Sequence, residues 1–436
     1  MVQFLTLLVG LVTGGQVIEV SVSAPVARVE LRLDGRTVAS RSGPPWSLGC
    51  DFGRHPRPAE LVVVAFDEAG REIGRDRQWV NVPGRSVEAA IVPEMDAQGR
   101  IVAARITWNG HAYGDPRRIR VEIDGERVKV DFPYRIDLSG YPDDEPHVLA
   151  AEVSWGRDLE LRRELAFGRG FSGTFASGLT AVPVQLDGLD ELPPVDRLGG
   201  WLTVAGEPVD PAAVEAGPVD LVIVRHPSAD RRLRELYSQQ RDATRRGGRR
   251  MRAAIDDLGE DVGVLVMLPE PVLGETTGAR PTLLFPVSEE PEPGREGFLR
   301  LAGGEGHGAM MSVTMRLANA VALAGMRAAE NDHRRAVLLV LGDRRDDESF
   351  LSPEAAVGYL ADLRVPLVVW DLSEDAGAVQ PGWPVDLRVE NLDDLRRAVR
   401  RLRYLLETQR IVWVGGEHLP QMIELGDAAD GVTLAR

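Results

Sequence analysis

Polar and apolar residues alternate through the first third of the chain. Arg28-Val29-Glu30-Leu31-Arg32-Leu33 puts every second side chain on one face, the pattern of a half-buried strand, and runs into Asp34-Gly35. Asp-Gly suits the tight turns that join hairpin strands. The same pattern returns at Arg118-Ile119-Arg120-Val121-Glu122-Ile123, followed by Asp124-Gly125. A proline-aromatic step follows each hairpin, Pro45-Trp46 in the first copy and Pro133-Tyr134 in the second. Each copy then supplies another apolar strand, Leu61 to Phe66 and His147 to Val153. Two units of roughly 80 to 90 residues with short strands and frequent turns predict two β-sandwiches, over residues 1–84 and 85–170.

Beyond residue 170 the rhythm changes. Residues 171–215 hold short strands punctuated by glycine and proline, read as a connecting segment packed on the next domain. Val219 to Val224 is a continuous apolar run of the kind a strand buried on both faces shows; a long amphipathic stretch, Arg231 to Leu258, comes after it. Strands are expected at Val262 to Leu268, Thr282 to Val287, Ala336 to Leu341 and Pro366 to Trp370. Helices are expected at Met310 to Ala329, Ser352 to Leu363 and Leu392 to Leu406. Ser352 stands where an N-cap belongs, with Pro353 at the first helical position. Alternating strands and helices over 216–409 predict a doubly wound, mostly parallel sheet. Such sheets take ligands beyond the carboxyl ends of their strands. Residues 410–436 read as a terminal β addition.

Composition narrows the function. A chain of 436 residues exceeds what one core fills, and its net charge of -16 repels phosphate backbones, which argues against nucleic acid as a partner. Lys129 is the sole lysine. The arginine clusters Arg245, Arg246, Arg249, Arg250 and Arg396 to Arg403 read as solvated helix faces. Cys50 is the only cysteine, so neither an internal disulfide nor a zinc site on paired cysteines can form. Phe4 to Val12 is apolar but short, and no basic residue precedes it. It reads as strand joined through Gly14-Gly15 to Val17 to Val22, with a signal peptide as the alternative. No segment is suited to span a membrane.

The first 170 residues resemble the immunoglobulin-like modules of bacterial envelope and adhesion proteins. The region from Val219 resembles a von Willebrand factor A domain. In that family the first strand ends in Asp-x-Ser-x-Ser, and a later threonine and an aspartate after the fourth strand complete a Mg²⁺ site, the oxygen set a hard cation prefers. Here His226-Pro227-Ser228-Ala229-Asp230 stands in that place. Ser228 matches, His226 replaces the first aspartate and Asp230 the second serine. The threonine loop falls at Gly304-Glu305-Gly306-His307-Gly308-Ala309, with alanine for threonine, and Asp343 after Val340-Leu341-Gly342 keeps the last aspartate. The resemblance thus implies a degenerate metal site of Ser228, Asp230 and Asp343. No cofactor is expected, although Mg²⁺ or a softer divalent cation drawn by His226 is the one ligand these groups would admit. Asp230 as an N-cap of the following helix is the structural alternative.

The order of modules also looks like acidobacterial proteins related to the von Willebrand A family, which implies adhesion, assembly or scaffold roles without catalysis. The expected function is protein–protein binding, with His226, Glu305, His307, Asp343 and Arg344 facing the partner. A structural subunit of a cell-envelope assembly is the second reading. A metal-dependent hydrolase built from His226, His307 and Asp343 is the third. The module types place the protein in the periplasm or at the cell surface, whereas the lack of a clear signal peptide leaves the cytoplasm open. Gly303 to Gly308 is glycine-rich, but its spacing fits neither a P-loop nor a dinucleotide fingerprint. No His-Glu-x-x-His or Gly-x-Ser-x-Gly motif occurs. The acidic run Glu289 to Pro293 and the cluster Arg344 to Glu348 read as solvated, and Met310, Met311, Met315 and Met326 as core.

Overall fold

The computed structural model describes the chain except residues 1, 7, 9, 23–25, 84–87, 96–100, 110–115, 131–133, 143–144, 146, 155–159, 169–172, 176–178, 248–257, 259–260, 274–282, 288–313, 344–345 and 375–379. Alternation in the first segment produces seven strands: β1 (Val2–Phe4), β2 (Gly15–Val22), β3 (Arg28–Leu33), β4 (Arg36–Arg41), β5 (Ser47–Asp51), β6 (Ala59–Phe66) and β7 (Glu72–Val80). They form two sheets, β1-β2-β5 and β4-β3-β6-β7. Val2, Phe4, Ile18, Val20 and Leu48 from one sheet meet Val29, Leu31, Leu61, Val63 and Ala65 from the other in a single core. Each such fully buried aliphatic side chain contributes about 1.5–3 kcal/mol. Only the first part of the apolar start is strand: Val2 and Phe4 are buried and paired to β2, whereas the described residues from Leu5 to Val12, expected as strand, are not part of a sheet.

Cys50 lies in this core, 3 % exposed, where burial and then the neighbouring Asp51 charge push its thiol up to about 11. At pH 8 only about one thiol in a thousand is then ionised. Iodoacetamide should accordingly label Cys50 at pH 8 only once the module is unfolded. Native labelling at the rate of a free thiol would contradict this burial.

The second module repeats the first strand for strand: β8 (Glu88–Met95), β9 (Ile101–Asn109), β10 (Arg118–Ile123), β11 (Glu126–Val128), β12 (Arg135–Asp137), β13 (His147–Ser154) and β14 (Glu160–Phe167), with β15 (Gly173–Phe175) added at one edge. Its sheets are β12-β9-β8 and β11-β10-β13-β14-β15, enclosing Ile106, Val121, Leu149, Val153 and Leu165. Both Asp-Gly hairpins turn through two residues of positive φ, Asp34 (49°) with Gly35 (77°) and Asp124 (51°) with Gly125 (82°). These are the values a two-residue hairpin needs to follow the twist of its strands.

Four strands precede the α/β region: β16 (Leu179–Leu186), β17 (Leu202–Val204), β18 (Glu207–Val209) and β19 (Pro211–Glu215). Then come β20 (Val219–Arg225), α1 (Ala229–Gly247), β21 (Val262–Met267), the short pair β22 (Val272–Leu273) and β23 (Leu283–Leu284), α2 (Leu317–Ala328), β24 (Arg334–Leu341), α3 (Pro353–Asp362), β25 (Leu367–Asp371), β26 (Leu387–Arg388) and α4 (Leu392–Glu407). The five main strands lie side by side as β21-β20-β24-β25-β26, every neighbouring pair parallel. One face packs against α1 and α4 through Leu233, Leu236, Leu395 and Leu402. The other packs against α2 and α3 through Val321, Ala324, Tyr359 and Leu360. β24, covered on both faces, is buried at all eight positions, which explains its uninterrupted apolar run after Arg335. Ser352 caps α3 by accepting from Ala355 N, with Pro353 in the first turn. α2 spans Leu317–Ala328; Met310 and Met311 lie outside the described residues, while Met315 is core.

The chain ends with β27 (Gln409–Gly415), β28 (Ile423–Leu425) and β29 (Val432–Leu434). These pair with the strands before the α/β region in two small sheets, β19-β27-β16-β29 and β18-β17-β28. The connecting segment and the terminal addition thus fold together, and the α/β region is an insertion between them. The β17–β18 hairpin turns at Ala205 (φ 51°) and Gly206 (φ 87°) without the Asp-Gly signal of the other two.

The first sandwich, the α/β region and most of these small sheets belong to one compact unit; Gly84–Thr180 with Val414–His418 forms another. Serial modules do not predict this return of the first sandwich to the α/β region. Tyr359 of α3 donates to the Asn81 carbonyl (3.0 Å), and burial raises its phenol well above the ordinary range. Gln421 donates to the Pro58 carbonyl (2.7 Å), and Leu11 packs on the α2–α3 side of the core.

Candidate functional site

The two ends of the parallel sheet differ in chemistry. At the amino end Arg334 donates to the carbonyls of Gly217 and Leu406 and pairs with Asp261. Arg335 donates to those of Arg364 (3.3 Å) and Ala329 (3.4 Å), and burial pushes its guanidinium down to about 10. Gln409 closes both backbone groups of Arg335, donating to its oxygen (3.1 Å) and accepting from its nitrogen (2.6 Å). Each arginine is occupied in satisfying backbone that would otherwise be buried without partners. That edge is sewn into the fold.

The carboxyl edge is built from loops. β20 carries its pairing one residue past its end, where the His226 N–H donates to the Val340 carbonyl (2.9 Å). His226 is completely buried. The chain then turns through Pro227 and Ser228 into α1. The Ser228 hydroxyl donates to the Asp343 carbonyl (2.9 Å), and its oxygen lies 2.8 Å from His226 Nδ1. A serine hydroxyl has one proton. With that proton on the Asp343 carbonyl, Nδ1 is the donor to Ser228 Oγ. In the other tautomer Nδ1 accepts instead, from the hydroxyl and from the Ser228 backbone N–H at 3.3 Å. Asp343 Oδ1 accepts from Glu374 N (2.9 Å), and the Glu374 carboxylate pairs with Arg231 at the start of α1. Ser228, Asp343, Glu374 and Arg231 therefore form a closed ring across the loops after β20, β24 and β25.

Asp230 lies outside that ring. It is the second residue of α1 and not its N-cap, and its Oδ1 lies 2.8 Å from Nε of Arg225, the last residue of β20. Arg225 is 3 % exposed; burial lowers its guanidinium from the usual value and the Asp230 charge opposes that. The aspartate expected to ligate a cation thus already sits against a buried cation. Ser228 and Asp343 are brought together, while Glu305, His307 and Arg344 lie outside the described residues. Among the described residues no three His, Cys, Asp or Glu side chains are spaced to hold a metal ion. The donors present do not fit the Mg²⁺ set in its family form.

Three features of this edge escape a sequence reading. Gly342 allows the loops to meet, because a Cβ there would stand 2.3 Å from Ser228 Oγ and 2.5 Å from Ala229 N. Its only sequence signal is a glycine between a buried strand and Asp343. Asp371, the buried last residue of β25, accepts from the Ser373 N–H (3.0 Å) and hydroxyl (2.7 Å), which shapes the loop carrying Glu374. Third, the charged cluster after Asp343 is not merely solvated. α2 has no side-chain cap of its own; Asp347 accepts from Leu317 N (3.1 Å), and Ser349 accepts from Ala318 N (3.0 Å). Those helix-end donors need partners from somewhere. The loop after β24 provides them.

The two best-formed cavities among the described residues hold about 10 and 50 Å³. The smaller is lined by apolar residues of the terminal sheets such as Val184, Leu202 and Val432, the larger by Asp220, Gly263, Arg327 and Asn331. Pockets for small molecules run to roughly 300–1,000 Å³.

No family model and no curated protein matches the sequence. Among solved structures, the chain is similar to the fibronectin(III)-like modules of Clostridium thermocellum CbhA (18 % identity, 18 % of this chain and 93 % of that one, TM-score 0.17). It is also similar to the central fibronectin-III array of RIM-binding protein (12 % identity, 48 % and 78 %, TM-score 0.19). A third is the SGBP-B protein of the Bacteroides ovatus mixed-linkage glucan utilization locus, in complex with a mixed-linkage heptasaccharide (13 % identity, 48 % and 57 %, TM-score 0.15). Overlays this slight carry no functional argument. The β-sandwich character of the two N-terminal modules rests on their own strand pairing. No described helix is long and apolar enough to cross a membrane.

Proposed function

We propose that this chain is a non-enzymatic protein-binding module of the periplasm or cell surface, whose α/β region is a degenerate von Willebrand A-like domain. It engages a protein partner at the carboxyl edge of the parallel sheet without a divalent cation. One observation carries the reading: the oxygen groups of the candidate metal set already have protein partners. The Ser228 hydroxyl serves the Asp343 carbonyl, Asp230 faces the Arg225 guanidinium, and the Asp343 carboxylate accepts from the Glu374 N–H. A cation entering would have to displace a buried arginine from its carboxylate, and breaking such a pair typically costs about 3–5 kcal/mol. The strand order, with Asp343 just after the strand beside β20, supports the family resemblance.

Calorimetric titration of the full chain with Mg²⁺, Mn²⁺ and Zn²⁺ tests the cation-free reading. No saturable heat is expected up to millimolar metal. Tight binding that disappears in Asp343→Ala would instead mean that Ser228, Asp230 and Asp343 form a working adhesion site. A second reading, a structural subunit of an envelope assembly, draws on the two modules of identical strand order. Native mass spectrometry of the chain in cell extract discriminates the two, since an obligate subunit runs in a stoichiometric complex.

A further inference from the structure

Both ring nitrogens of His147 face atoms that can only accept. Nδ1 lies 2.7 Å from Asp124 Oδ2, and Nε2 lies 3.1 Å from the Pro142 carbonyl. A neutral imidazole has a single N–H and satisfies one of these at most, whereas the imidazolium satisfies both. The side chain is 8 % exposed and packs on Tyr141 (5.3 Å between centroids) and Phe167 (5.2 Å), so water has little access to replace a lost partner.

We propose that His147 is a pH-operated latch within the second module: as imidazolium it ties the Asp124-Gly125 hairpin to the turn at Pro142, and on losing a proton it releases the Pro142 side. The Asp124 side is the firmer anchor. Its Oδ1 accepts from Val148 N (2.8 Å) and its own N–H donates to the Val148 carbonyl (2.9 Å), so the hairpin stays put in either state. On the other side, Gly168 lets the turn close against the end of β14, because a Cβ there would stand 2.0 Å from the Glu145 carbonyl.

The first module shows why this is a feature of the second alone. Asp34 makes the same bond to Glu60 N (2.9 Å), but its Oδ2 is held by Arg57, a cation that keeps its charge at every accessible pH. The charged groups facing His147 are Asp124 from the hairpin and Glu145 from the turn; Tyr141 and the β14 residue Phe167 bring no charge. Asp143 and Asp144, adjoining Pro142 in sequence, are also acidic. The Asp124 hydrogen bond opposes proton loss, outweighs the burial that favours it, and raises His147 above the ordinary histidine value. Burial works against the charged form of Asp124, but the Val148 N–H and His147 outweigh it and lower its carboxyl. The histidine contribution to stability is therefore complete below about pH 6.5. It is lost as pH rises through the higher folded value. The aspartate contribution is present above about pH 4 and lost as pH falls through its depressed folded value.

The test uses the full chain carrying ¹³C-labelled histidine, with hydrogen exchange read on peptides containing Tyr141 and Glu145 at pH 5.5 and 8.5, corrected for intrinsic rates. The expected result is a His147 signal, assigned by its absence in His147→Gln, that titrates above the ordinary histidine range. Protection of the turn should fall about tenfold over the same interval, the size of one charge-assisted hydrogen bond. Asp124→Asn should move both changes to lower pH, and His147→Gln should show no step. Equal protection at both pH values, or a wild-type His147 titrating at the ordinary value, would overturn the proposal. So would a step that persists in His147→Gln. If His147→Gln fails to fold, the shift in Asp124→Asn decides alone, and its absence counts against the latch.

Discussion

Gly342→Ala is expected to destabilise the α/β region by about 3 kcal/mol, near the upper end for forcing an extra carbon into a filled site. The new Cβ would stand 2.3 Å from Ser228 Oγ, 2.5 Å from Ala229 N and 2.8 Å from Ser228 C. Two of these atoms are backbone at the entry to α1, so no side-chain rotation relieves the contact. Either the helix start or the end of β24 must move, and the bond from Ser228 to the Asp343 carbonyl is lost with it. Gly358→Ala is the matched control: it lies mid-helix in α3 with open space about its Cβ position and should gain up to about 1 kcal/mol from helix propensity. Urea unfolding followed by tryptophan fluorescence, with Trp370 buried in β25, measures both. A Gly342→Ala chain as stable as the parent would mean that the three loops do not meet as described.

Asn81→Ala is expected to cost about 3–5 kcal/mol, because several buried groups lose partners together. The Asn81 amide accepts from Val12 N (2.6 Å) and donates to the carbonyls of Val12 (2.8 Å) and Arg57 (3.1 Å). Its own carbonyl accepts from Tyr359, and its φ of 55° is one that asparagine tolerates better than alanine. Asp76 and Gln78 on β7 hold the same N-terminal stretch through Phe4 N and Leu8 N. Loss of Asn81 should therefore free residues near Val12 before the sandwich opens. Limited proteolysis should cut there first in Asn81→Ala. Asn81→Gly should recover about 1 kcal/mol of the loss by relieving φ without restoring the bonds. Tyr359→Phe removes only the link to α3 and should cost about 1 kcal/mol. Equal proteolytic resistance of Asn81→Ala and parent would show that the amide does not anchor the N-terminal stretch.

What the sequence by itself determined were features of short range. Period-two alternation and the Asp-Gly pairs set the two sandwiches, because a hairpin turn and one buried face are local requirements. Ser352-Pro353 marked the start of α3, and the unbroken apolar runs marked strands covered on both faces. The pairing of Ser228 with Asp343 came from the family resemblance, not from any local pattern. Only the tertiary structure decided where these pieces meet. Asp230 looks in sequence like a ligand or a cap; Arg225, one strand-end away, makes it half of an ion pair. Asp347 looks solvated until α2, whose own N-cap offers nothing, presents its free N–H groups to it and to Ser349. Ala205 carries no turn signal, yet the β17–β18 pairing forces it to positive φ. Residues 179–215 and 409–434 share sheets although the whole α/β region lies between them, and Asn81 joins a first-module strand end to a helix far along the chain. Each of these depends on a partner distant in sequence, whose nearness is fixed by the packing of other elements and not by any local preference.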